Sequence, residues 1–399
     1  MQHETLRLFI IGTLVALGGC ASSPEVGTGP ATASPNAATV EFRQTAGTQP
    51  GGGQTALKSP PTQSGYYNPP GSPVRKPILN RLPAMLGRFL QHFVDPQTND
   101  RSHILDEAAV RSQLERRPDE NTITWIGHMT TLMNIDGRYV LTDPWWSNYG
   151  SPIPGLGPRR YAPPALAIDE LPQIDVIVVS HSHYDHFDLN AVSRIRGRDK
   201  ITAVVPLGLG RFFRERGYGE VHELDWEQTV TANGLSITAL PAIHWSQRQP
   251  FRKNDTLWAS FAIEGPSGIR VFFGGDTDHG PIHADLGARL DSFDVALLSI
   301  GGFHNDGVHC APESCVQLGA DVDADVLIPL HWGTIYLGEG PPQLLAQRFK
   351  KAADTAGLDR EQIWEMQIGE TRALPPARGR AEQFAADAAI DSAAPARAR

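Results

Sequence analysis

Six residues, His181-Ser182-His183-Tyr184-Asp185-His186, carry three imidazoles and a carboxylate directly behind the apolar run Ile174-Asp175-Val176-Ile177-Val178-Val179-Ser180. That run is short, β-branched and nearly free of charge, the pattern of a strand buried on both faces. Asp188 is placed to cap a short helix carrying Leu189, Val192 and Ile195. A strand, a ligand-rich loop and a helix in this order constrain the chain to an α/β architecture, with its site where open sheets gather ligands, at the carboxyl ends of strands. Neutral imidazole and carboxylate are the usual ligands of zinc and similar divalent ions. In an extended stretch His181 and His183 project to one side, whereas Asp185 and His186 lie one step further on. The spacing therefore predicts two neighbouring metals. The alternative, a histidine-rich surface loop, is disfavoured because four such ligands rarely coincide behind a buried strand.

The same context recurs along the chain. Leu240-Pro241-Ala242-Ile243 leads to His244, Val271-Phe272-Phe273-Gly274-Gly275 to Asp276, and Val326-Leu327-Ile328-Pro329-Leu330 to His331. Each alone is a weak signal; four strand-end ligand groups in succession are much harder to explain otherwise. Upstream, strands are expected over Thr122–Ile126, Leu132–Ile135 and Tyr139–Leu141, the last two joined by the hairpin pair Asp136-Gly137. Asp143 follows this hairpin. It reads equally as an acid that orients a ligand histidine and as a simple turn or capping residue.

The order H-x-H-x-D-H, His, Gly-Asp-Thr, His-Trp-Gly-Thr resembles the metallo-β-lactamase-fold hydrolases. Within them, T-W-I-G-H-x-T, L-T-D-P, S-H-x-H-Y-D-H and H-W-G-T resemble the branch of phospholipases D that hydrolyse N-acyl-phosphatidylethanolamine, and Pro158-Arg159-Arg160-Tyr161 falls where that branch carries a basic-aromatic stretch. The resemblance covers residues 120–335, more weakly to 372. It implies an α/β fold, a four-layer αβ/βα sandwich. It also implies His181, His183 and His244 on one zinc, Asp185, His186 and His331 on a second, and Asp276 between them. Asp143 would support the site and His309 would lie beside the substrate, as a candidate donor of the leaving-group proton. The activity implied is phosphodiester hydrolysis of a phospholipid by a hydroxide shared between two divalent ions, with Asp185, Asp276, His309 and Asp143 as catalytic residues. The alternatives are a lactonase or small-molecule phosphodiesterase on the same scaffold, and a non-catalytic metal-binding lipoprotein. The chain departs from the pattern at Met129, where alanine is usual, and at His309-Cys310-Ala311-Pro312, which lacks the usual acidic or amide residue before the proline. His128, His279 and His304 read as supporting or structural.

The remaining sequence sets the surroundings. Its 399 residues suffice for one large α/β domain, and a net charge of −9 offers no general attraction to nucleic acid. Residues 1–20 read as a signal peptide: a short apolar run ends in Leu17-Gly18-Gly19-Cys20, which resembles a bacterial lipobox whose Cys20 is lipidated. Ala21-Ser22 resembles outer-membrane sorting, so the expected location is the bacterial cell envelope, lipid-anchored in the outer membrane and facing the periplasm. An ordinary cleaved signal or a membrane anchor is the alternative. Residues 21–77 form a Pro/Gly/Ser/Thr-rich tether, 78–374 the hydrolase domain and 375–399 a disordered tail. A helix after Pro83, with Met85, Leu86, Phe89, Leu90 and Phe93 at helical spacing, either docks on the core or faces lipid. Further helices are expected over Glu107–Arg116 and from Pro341 to Gly357, and a last strand over Ile363–Met366. Cys310 and Cys315 are expected as unpaired thiols, because a helix between them would suit a disulfide poorly.

Overall fold

The computed structural model describes residues 65–74, 100–117, 119–153, 157–249, 252–302, 307–336, 341 and 343–378. Cys20, the helix after Pro83, His304 and everything beyond Arg378 lie outside the described residues.

Helix α1 (Glu107–Glu115) begins where the Asp106 side chain accepts from the N–H of Ala109. Strands β1 (Thr122–Gly127), β2 (Thr130–Ile135) and β3 (Arg138–Thr142) then form an antiparallel meander. Its tight turn is Asp136-Gly137, both at positive φ (51° and 76°), as the twist-matched two-residue hairpin requires. Strand β4 (Val176–Val178) is wholly buried and parallel to β3. The chain continues through α2 (Leu189–Arg194), β5 (Thr202–Pro206), α3 (Gly210–Arg214) and β6 (Glu220–Leu224), the strands again parallel. Asp188 caps α2 by accepting from the N–H of Asn190 at 2.9 Å.

A second sheet follows. Strands β7 (Thr229–Ala232) and β8 (Leu235–Leu240) form a hairpin, and a separate two-stranded ladder of β9 (Gln247–Gln249) and β10 (Arg252–Lys253) comes next. Strand β11 (Ser260–Glu264) then pairs antiparallel with both β8 and β12 (Arg270–Phe273). After α4 (Pro281–Arg289), strand β13 (Phe293–Ser299) adds parallel to β12, and after α5 (Pro312–Asp321) strand β14 (Ala324–Leu330) adds parallel to β13. Helix α6 (Leu344–Thr355) buries Leu345, Ala346, Phe349 and Ala353 on one stripe. Strand β15 (Thr371–Ala373) returns to the first sheet beside β1. The sheets run β15-β1-β2-β3-β4-β5-β6 and β14-β13-β12-β11-β8-β7. One connected apolar core joins them, including Trp125, Trp226, Trp258, Phe272 and Phe293. Helices lie against each sheet, so the fold is the αβ/βα sandwich expected.

Three expectations change. Ile363–Met366 is not a strand: Ile363 makes one isolated parallel bridge to Leu327, and the last strand is β15. Cys310 and Cys315 form a disulfide, with Cα atoms 5.5 Å apart. The helix starts only at Pro312, so Cys310 sits in the loop before it and the pair spans the helix start, within ordinary bridging distance. At the carboxyl end the chain is packed through Arg378. Ala377 is buried, and the Arg378 guanidinium meets Asp323 at 3.2 Å and Asp325 at 2.7 Å.

Candidate metal centre

Every candidate ligand lies at or just beyond the carboxyl end of a strand. Asp143 follows β3, the His181–His186 loop follows β4, His244 follows β8, Asp276 follows β12, His309 lies after β13 and His331 follows β14. Strands β3 and β4 are parallel, as are β12, β13 and β14, and β8 runs with β12 because both oppose β11. Both sheets therefore deliver their strand ends to one place. The turns there are unusual. His128 (φ 57°), Asp143 (34°) and His331 (65°) adopt the left-handed region despite carrying side chains. Gly275 (55°) does so without penalty, and a Cβ there would collide with the Ser180 side chain. Strained backbone of this kind persists only where the surroundings over-determine it, and it clusters at functional sites.

Asp276 is the centre of the cluster. Its Oδ2 lies 2.9 Å from His309 Nε2, 3.1 Å from His186 Nε2, 3.7 Å from His244 Nε2 and 3.9 Å from His181 Nε2. Its Oδ1 lies 3.3 Å from His331 Nε2 and accepts from the Ser299 hydroxyl at 2.8 Å. Among the described residues the donors form two groups of four, His181, His183, His244 and Asp276, and His128, Asp185, His186 and His331, and two overlapping groups of three, Asp143, His181 and His186, and Asp276, His309 and His331. Asp185 Oδ2 is 3.8 Å from His186 Nε2 and 4.0 Å from His331 Nε2.

Outer hydrogen bonds decide where the imidazole lone pairs point. His244 Nδ1 donates to the Val308 carbonyl at 2.6 Å, which leaves its Nε2 as an acceptor facing inward. His186 Nδ1 donates to Asp143 Oδ2 at 2.7 Å, with the same consequence. The Ser180 hydroxyl donates to Asp143 at 2.6 Å, so it accepts from His181 Nδ1 at 2.9 Å and His181 Nε2 also faces inward. Asp143, the ambiguous strand-end acid, thus orients two of the imidazoles and also accepts from the Ser180 N–H at 2.7 Å. Inward nitrogens then crowd one another. His181 Nε2 is 2.7 Å from His183 Nδ1, which is 3.2 Å from His244 Nε2, and His186 and His331 bring their Nε2 atoms to 3.3 Å. Nitrogens at such distances need a proton or a cation between them.

The electrostatics agree. Burial pushes His181 and His244 well below the usual imidazole range and His183 down to about 3, keeping these rings in the neutral form that binds metal. Burial works the other way on Asp276, yet the surrounding imidazoles of His186, His331 and His309 hold its carboxyl well below the carboxylate range. At His186, burial is outweighed by Asp276, Asp185 and Asp143, which raise its pKa well above the ordinary value: the carboxylates draw positive charge to this spot. His183 Nε2 and His331 Nδ1 are buried without a hydrogen-bond partner. Seven nitrogen and carboxylate donors, His181, His183, Asp185, His186, His244, Asp276 and His331, fit a divalent metal centre.

His128, read as supporting or structural, is fully buried and places Nε2 3.1 Å from Asp185 Oδ2, while its carbonyl accepts from the His331 N–H at 3.2 Å. Sequence reasoning missed other residues that shape this centre. Arg248 stacks over Tyr184 and Phe187 and donates to the carbonyls of Ser182 (3.0 Å) and Phe187 (2.7 Å), so it grips the ligand loop. Ser299 and Ser180 had the same strand-end position as the ligands, which was the available signal; Arg248 had none. Met129, where the chain departs from the family pattern, is buried in the apolar core. Arg160 is buried too, stacked over Trp145 at 3.8 Å, with burial pushing it down to about 9. His279 is held by Asp321 at 2.8 Å and is no part of the cluster.

Residues 138–332 match the family model described as a β-lactamase superfamily domain. The chain is 39% identical over 239 residues to an uncharacterized protein of Mycobacterium tuberculosis, covering 58% of this chain and 64% of that one. It is 36% identical over 230 residues to the N-acyl-phosphatidylethanolamine-hydrolyzing phospholipase D 1 of Caenorhabditis elegans, covering 54% of this chain and 64% of the relative. The chain thus spans just under two thirds of the length of these relatives. A solved structure titled as a possible metal-dependent hydrolase from Veillonella parvula aligns over 64% of this chain and all of its own, with TM-score 0.51 and 17% identity, a likeness of fold.

Proposed function

We propose that this chain, whose residues 138–332 match the model of a β-lactamase superfamily domain and whose fold resembles a possible metal-dependent hydrolase, is a metal-dependent hydrolase that cleaves a phosphodiester bond of a phospholipid of the N-acyl-phosphatidylethanolamine type. The observation that carries the reading is Asp276. A single carboxylate stands between His181, His183 and His244 on one side and Asp185, His186 and His331 on the other, which suits two divalent ions, zinc being the usual partner of such donors. Metal held there supplies Lewis acidity toward phosphoryl oxygens and an activated water near neutral pH. The chain's own residues do the rest. Asp143 and Ser180 hold His186 and His181 in the tautomer that faces inward, and Ser299 fixes the rotation of Asp276. His309 has its Nε2 beside Asp276 and sits at the edge of the cluster, partly exposed, where it holds a proton for the departing alkoxide.

Lipid substrate and lipid anchor go together in this reading: acylation at Cys20 and a location in the cell envelope, at the outer membrane facing the periplasm, would keep the enzyme at its substrate layer. The Cys310–Cys315 disulfide supports export, since such bonds persist in oxidising compartments. The test is to incubate the zinc-loaded chain with N-acyl-phosphatidylethanolamine and identify products by mass. Phosphatidic acid with free N-acylethanolamine is expected. Intact lipid alongside cleavage of a lactone would replace the lipid reading with a lactonase.

A further inference from the structure

Residues 65–74 precede the matched domain, yet they pack against the metal centre. The Asn68 side-chain oxygen accepts from the backbone N–H of His244 at 2.9 Å and from the Trp258 indole N–H at 3.0 Å. Tyr66 donates its N–H to the Asn254 carbonyl at 2.9 Å, and the Asn254 side chain donates back to the Tyr66 carbonyl at 3.0 Å. Asn254 also accepts from the N–H of Ser246, so the segment is fastened at the open end of the β9–β10 ladder, where the two strands begin and finish. A turn closed by the Ser72 hydroxyl on the Pro69 carbonyl (2.6 Å) folds the segment back. Beside the segment lies an open depression of about 320 Å³, lined by Tyr67, Asn68, Trp245, Lys253 and Asn254 among others and reaching the centre at His244. Trp245 meets the His183 ring edge-on at 4.3 Å, and the Lys253 ammonium lies 5.8 Å from the Trp245 ring.

We propose that residues 65–74 are a specificity-determining wall of the substrate site, and that Asn68 is a positioning residue for His244. The depression takes the ethanolamine and amide that lead from the phosphodiester to the N-acyl chain, the chain running on through its open side. The Asn68 side-chain N–H and the Trp245 ring face suit an amide and its alkyl neighbours. Asn68 and Val308 hold His244 from opposite ends, backbone N–H and ring Nδ1, so this ligand is set partly by a segment outside the matched domain. The subsite rests on the phosphodiesterase reading; the positioning role of Asn68 does not.

The experiment uses the full chain loaded with zinc. Tyr67→Ala and Lys253→Gln should each lower kcat/KM for N-acyl-phosphatidylethanolamine relative to bis(4-nitrophenyl) phosphate, which has no head group, by roughly tenfold, the size of one or two lost polar contacts. An unchanged ratio in both folded, metal-loaded variants overturns the subsite. Asn68→Ala should weaken zinc binding by about tenfold, and Asn68→Asp, which keeps the acceptor oxygen, should restore it. Equal zinc affinity in wild type and Asn68→Ala overturns the positioning role. A metal-loaded wild type that cleaves neither phosphodiester overturns the phosphodiesterase reading and the subsite with it, while the zinc titration still decides the role of Asn68.

Discussion

At the scale of single residues, groups placed to hold metal differ from groups that aim them. Asp143 bonds Ser180 and His186, so Asp143→Asn, which keeps the shape but loses charge and an acceptor, should weaken metal affinity by about 10- to 100-fold. Metal titration under a competing chelator would measure this. His309 belongs to the other class. His309→Gln should leave the metal content at the wild-type level and lower kcat by about 10²- to 10⁴-fold, the ordinary worth of a positioned proton donor. A loss of metal instead would make His309 a ligand. That the candidate ligands gather in one place was legible in the sequence because they follow apolar strand runs. Their orienters were not: Arg248 and Asn68 reach the site from loops whose position only the folded chain determines.

At the scale of elements, the disulfide and the helix contacts make claims that stability measurements can check. The Cys310–Cys315 bridge ties the His309 loop to the start of α5. For so short a loop, chain-entropy arguments give it about 2 kcal/mol, so Cys310→Ser with Cys315→Ser should lower unfolding stability in urea by that order, and added reductant should do the same to wild type. The loop before α4 and the end of α5 are linked by His279 and Asp321. Burial alone would raise the Asp321 carboxyl, but hydrogen bonds from His279 and Gln317 outweigh it and hold it below the ordinary carboxylate range. A depressed carboxyl contributes stability that is fully present above its unfolded pKa and lost as pH falls through its folded value. Asp321→Asn should therefore flatten the stability curve below about pH 4. Several elements were readable from pattern: the Asp136-Gly137 turn and the Asp188 cap are local signals. The exceptions were long-range. Ile363–Met366 has strand composition but meets only one residue of its neighbour, and the pairing of Cys310 with Cys315 depended on where a helix begins.

At the scale of the whole molecule, the chain places a two-sheet scaffold behind one charged, buried cluster and borrows part of that cluster's wall from residues 65–74, assigned by composition to a tether. Composition reads such a Pro- and Gly-rich stretch as unable to fold alone; what it cannot show is that Asn68 finds partners on a domain that begins much later in the sequence. The central claim is that this scaffold builds one site for two metal ions about Asp276. Counting zinc per chain by elemental mass spectrometry, after equilibrium dialysis of the wild-type protein and of Asp276→Ala, tests it most directly. Two equivalents in wild type and the loss of both, or all but a weakly held one, in the variant are predicted; a single equivalent in wild type, or two retained in Asp276→Ala, would contradict it.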